Sequence, residues 1–234
     1  MIYNGSKLHI CGLPVIETLW PMNNMFETSD FTALDETYFK SVIRTLPVYQ
    51  PTATKVLLDL EGTPAASEGV YGQRYWYYDE FPAETIANFD NAITWAQEVN
   101  AADGLGLEFG IYGWPNRTTS PATRETAMAP IIAKADFVSF RGYWSDPGWS
   151  FATWQNAVNI RETSLATYHT TFSNSDCYVY VSDYTGGSDK QLTASEFEQV
   201  IDDIQGRGMN PVYWTNYSRE AIPFSIRAKM WAAN

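Results

Sequence analysis

Histidine and cysteine are nearly absent from this chain of 234 residues, which holds His9, His169, Cys11 and Cys177 and no others of either kind. So short a supply excludes a histidine-rich metal hydrolase or a multi-cysteine zinc site, and it makes a Ser-His-Asp triad hard to assemble. Two cysteines so far apart form no disulfide framework, although a single bridge stays open. His169, in the run Ala166-Thr-Tyr-His-Thr-Thr171, reads as a solvated residue near a helix end. Basic residues are scarce as well. With 15 Lys plus Arg against 27 Asp plus Glu, the net charge of −12 repels nucleic acid and anionic membrane surfaces and favours a neutral partner. No apolar run approaches the roughly 20 residues that a membrane span requires. The N-terminus carries no basic segment followed by an apolar one, so the expectation is a soluble chain without a visible export signal, its compartment left open. Low-complexity stretches, linkers and repeats are missing too, and a chain of this length builds one core; residues 1–234 are therefore expected to form one domain. The composition leaves the oligomeric state open and calls for no cofactor.

Aromatic residues are abundant, at 15% of the chain with nine Trp and fifteen Tyr. That exceeds what packing alone needs, so several rings are expected at the surface. Short apolar runs at 15–20, 55–60, 108–114, 136–143, 177–184 and 211–216 alternate with helical patterns at 34–46, 83–101, 122–135, 151–167 and 194–207. Strands alternating with helices are the signature of β/α units around a parallel sheet, and the fold class is α/β, a TIM-type (β/α) barrel. Six strands are counted where a complete barrel has eight. A further strand is open at 2–10, residues 70–81 read as a loop or hairpin, and a last short helix is expected at 222–231. The punctuation agrees. Thr193-Ala-Ser-Glu196 is a capping box, Gly206 and Gly208 close that helix, and Asp103-Gly-Leu-Gly106 closes an earlier one.

The run Lys55-Val-Leu-Leu-Asp-Leu-Glu-Gly62 ends a strand in two carboxylates, Asp59 and Glu61. Residues two apart share one side of a strand, roughly 6.5 to 7 Å from one another, so the pair faces the sheet's functional end together while Val56, Leu58 and Leu60 take the opposite parity. Paired carboxylates in a cleft are what glycosidic cleavage uses. Acids at a strand end also serve as helix caps, turn formers or partners of an Arg, and Gly62-Thr-Pro64 has the look of a turn.

Barrel enzymes gather their working residues at the carboxyl ends of the strands. Besides Asp59 and Glu61, those ends offer Tyr112 and Trp114, then Arg141 and Tyr143, then Asp183 and Tyr184, then Trp214 and Asn216, with Glu17 in the first strand. Aromatic faces stack on sugar rings while Asp, Asn and Arg bond the hydroxyls, so this rim suits a carbohydrate. Ser139, Arg141 and Tyr143 share one parity and give the fourth strand a polar face. Each also has a plainer reading: Arg141 as a structural salt bridge, the rings as packing.

Leu-Asp-Leu-Glu, then Phe109-Gly-Ile-Tyr112, then a strand ending in Tyr143, then Val212-Tyr-Trp-Thr-Asn-Tyr-Ser218 resemble the muramidase-type lysozymes of glycoside hydrolase family twenty-five, with shared logic in family eighteen chitinases. The resemblance spans roughly 55–218. Where family twenty-five carries an early Asp this chain carries Glu17, and the unit at 177–207 is additional. The resemblance implies that Glu61 is the general acid and that Asp59 steadies the substrate's acetamido group or the transition-state charge. It implies that Tyr143 touches that same group and that Trp214 floors the subsite. Ionised Asp59 nearby would raise the pKa of Glu61 toward neutrality. Two other readings remain open: a non-catalytic carbohydrate-binding barrel, and a barrel enzyme holding Mg²⁺ on Asp59, Glu61 and Asp183.

Overall fold

The structure, a computed structural model, describes residues 15–19, 34–49, 51, 53–59, 82–115, 121–144, 148–181 and 192–213. Among these the strands are β1 (Val15–Leu19), β2 (Ala53–Leu58), β3 (Glu108–Tyr112), β4 (Phe137–Arg141), β5 (Cys177–Val181) and β6 (Asn210–Tyr213). The helices are α1 (Glu36–Tyr49), α2 (Pro82–Asp103), α3 (Pro121–Ile132), α4 (Phe151–Tyr168) and α5 (Ala194–Gly206). The six strands and five helices read from the sequence are all present, in that order. Residues 2–10, 70–81 and 222–231 lie outside the described residues.

Chain contacts divide the molecule into two compact units. The first contains β1, α1, β2, α2, β3 and the stretch Thr126–Asp136. β1 pairs with β2 and β2 with β3, each in parallel, with Leu19 opposite Leu58 and Leu58 opposite Ile111. Phe39, Ile43 and Leu46 are buried at helical spacing along α1. Asp35 caps that helix, its Oδ1 accepting from the Tyr38 N–H at 2.9 Å. α2 begins at a proline, which suits the first helical position, and buries Phe89, Ala92, Ile93, Ala96 and Val99. Gly104, at φ 62°, ends it in the left-handed conformation that glycine adopts freely. Asn100 then brackets Leu107, accepting from its N–H at 3.0 Å and donating to its carbonyl at 2.8 Å.

The second unit contains Gly113 to Glu125, β4, α4, β5, α5 and β6. β4 pairs with β5 and β5 with β6, again parallel, with Arg141 opposite Tyr180 and Tyr180 opposite Val212. α4 lies on the side of β4 that carries Phe140 and Gly142: the Arg161 guanidinium sits 5.3 Å from the Phe140 ring centre, and the Trp154 indole donates to the Gly142 carbonyl at 2.8 Å. α5 opens with the capping box read from the sequence, Thr193 accepting from Glu196 N–H while the Glu196 carboxylate accepts from Thr193 N–H. It closes at Gly208, at φ 75°; Gly206 is its last helical residue. Arg207 ties the two helices, its guanidinium bonding Asp203 on α5 and both Glu162 and Asn159 on α4 at 2.6 Å each. Burial works against that charge, but the Asp203 and Glu162 carboxylates outweigh it and raise the guanidinium pKa.

Two expectations need correction. The strand at 55–60 stops at Leu58, and its parities do not separate into wet and dry faces: Val56, Leu57 and Leu58 are all fully buried, as in parallel strands covered on both sides. Among the described residues the one large exposed ring is Tyr38. Trp154 is 1% exposed because its first-turn position on α4 presses it against the end of β4. His169 does cap a helix, yet its ring is wholly buried against Glu125.

Cys177 is a buried free thiol at the start of β5. Burial pushes its pKa well above the ordinary value, with Arg161 opposing weakly. A raised thiol pKa favours the protonated folded form, so this contribution is complete below the unfolded value near 9 and is lost as pH rises above it. Iodoacetamide at pH 8 is expected to leave Cys177 unmodified in the native protein and to label it fully in denaturant, as read by mass spectrometry of its peptide. Gly142→Ala is the sharper test of packing. Its Cβ would lie 2.4 Å from Val179 Cγ1 and 3.2 Å from the Tyr180 carbonyl oxygen, so the variant should lose about 1 to 3 kcal/mol in a urea denaturation.

Candidate functional site

In the first unit, β2 and β3 deliver Asp59 and Tyr112 to the same level. Leu58 pairs with Ile111, so the next residue on each chain stands at the carboxyl end of adjacent strands, whose spacing is about 4.8 Å. Both are buried, Asp59 at 4% and Tyr112 at 9% exposure. A buried carboxylate at a strand end is a group kept dry for a purpose, either a structural partnership or chemistry. Glu17 lies opposite Val56, three rungs before the level of Asp59. Glu61 lies outside the described residues, as do Asp183, Tyr184, Trp214 and Asn216.

In the second unit, Gly113 at φ 90° turns the chain out of β3 and donates its N–H to the Ser139 carbonyl at 2.8 Å. Trp114 follows, 4% exposed and joined to Pro115 by a cis peptide bond. The strand therefore ends two residues sooner than the sequence suggests, and Trp114 is a buried ring, not an open stacking surface. Beyond it, the face of β4 turned away from α4 carries Phe137, Ser139 and Arg141, and the register sets Tyr178 and Tyr180 of β5 beside them. The Phe137 and Tyr178 rings meet edge-on at 5.0 Å, which fixes both on that face. Ser139 is fully buried and its hydroxyl has no hydrogen-bond partner, while Arg141 and Tyr143 are half-buried at the strand's end. The polar parity read from Ser139, Arg141 and Tyr143 is thus present, and it is joined by two tyrosines of β5 that sequence reasoning passed over. Their alternation in Cys177-Tyr-Val-Tyr-Val181 was the available signal.

Sequence reasoning also missed the pair of Glu125 and His169. Glu125 Oε2 and His169 Nε2 lie 2.5 Å apart with both side chains wholly buried, and His169 Nδ1 has no partner. Among the described residues no group of three or more His, Cys, Asp or Glu is placed to hold a metal ion. Likewise, no helix there is long and apolar enough to cross a membrane.

Comparison of the folds adds a class. The catalytic domain of a family GH18 chitinase from the fern Peteris ryukyuensis matches over 96% of this chain and 69% of its own, with a TM-score of 0.51 and 12% identity. Bee venom hyaluronidase, solved with a hyaluronic acid tetramer, matches over 90% of this chain and 74% of its own, with a TM-score of 0.52 and 13% identity. Both are TIM-barrel glycoside hydrolases. The likeness is one of fold. No protein-family model matches the sequence, and no curated protein is significantly similar to it. The neighbours support the glycoside hydrolase fold in general and nothing specific to family twenty-five.

Removing one member of the buried pair tests its weight. His169→Ala withdraws the imidazole from Glu125 where both side chains are wholly buried, so the variant should lose on the order of 3 kcal/mol in chemical denaturation. Substitution of the exposed Ser175 nearby in sequence should change stability by less than about 0.5 kcal/mol.

Proposed function

We propose that the chain is a glycoside hydrolase acting on a neutral or N-acetylated oligo- or polysaccharide. Glu61 serves as general acid and Asp59 as its partner carboxylate. The observation that carries this reading is the burial of Asp59 at the carboxyl end of β2, level with Tyr112, in a chain whose fold neighbours are glycosidases. Glycosidic oxygen is a poor leaving group until it is protonated, and a carboxylic acid held out of bulk water is suited to supply that proton. A carboxylate two residues away then balances the positive charge that grows at the anomeric carbon, or steadies an acetamido oxygen that attacks it. The second route needs no nucleophile from the protein. In this mechanism Arg141, Tyr143 and Tyr112 bind sugar from their strand ends, and Glu17, Asp183, Tyr184, Trp214 and Asn216 complete the binding set, while Trp114, buried beyond the turn at Gly113, supports them from behind. The whole chain is taken as one such domain, and the resemblance to family twenty-five muramidases is the finer form of the proposal. The excess of 27 acids over 15 bases favours an uncharged glycan.

The test is reducing-sugar release from a panel of neutral and N-acetylated glycans. Glu61→Gln should lower kcat at least about a hundredfold while glycan binding by calorimetry persists, and Asp59→Asn should lower kcat without raising KM. Undiminished hydrolysis by Glu61→Gln would sink the assignment of the acid. Binding without turnover in the native protein would leave a carbohydrate-binding barrel in its place.

A further inference from the structure

We draw no further inference here: the strongest candidate, the buried pair of Glu125 on α3 and His169 at the carboxyl end of α4, is accounted for by the packing of those two helices, and nothing among the described residues shows a ligand or a moving element that it would serve.

Discussion

Leu57, Leu58, Val179 and Val181 have no surface open to water, and the drying of both faces of the parallel ladders is what the helices, turns and polar pairs all answer to. A parallel pair cannot be closed by a tight turn, so among the described residues β1 to β5 are each followed by a helix that returns the chain. Polar groups caught inside must then find partners. Asn100 bonding both ends of the Leu107 peptide and Glu125 bonding His169 are local answers to this demand. Ser139 has found none, and it sits on the strand whose outer end carries Arg141.

The same constraint explains which parts could be read from the sequence. Apolar runs of four to six residues, broken by glycine and followed by helical spacing, are a local pattern, and each described strand and α-helix was legible from it, whereas the short 3-10 turn at Asn174–Asp176 was not. Thr193 and Glu196 stand three apart, so their reciprocal cap was legible too. The pairing of Glu125 with His169 joins residues 44 apart in sequence with no spacing rule between them, and a histidine among threonines looked like a surface residue. Trp154 poses a related problem. A tryptophan near a helix start suits a rim or a core equally well, and only the carbonyl of Gly142 decides between them.

For the candidate site the division is finer. Asp59 was legible as the acid at a strand end, but its burial follows from the register with β3, which sets it level with Tyr112. Trp114 was legible as an aromatic near that end, yet the turn at Gly113 takes it out of the strand and buries it. The tyrosines at 178 and 180 show the opposite case, side chains whose alternation was visible but whose neighbours on β4 were not. Burial and register are properties of pairs of segments, and a single segment does not carry them.

The bond between the Trp154 indole and the Gly142 carbonyl has a spectroscopic meaning. An indole held in a dry, stacked environment emits at shorter wavelength than one in water, and this ring enters that environment only when α4 lies down on β4. The second unit thus carries its own optical record of that docking, in a side chain that the chain needs for packing in any case.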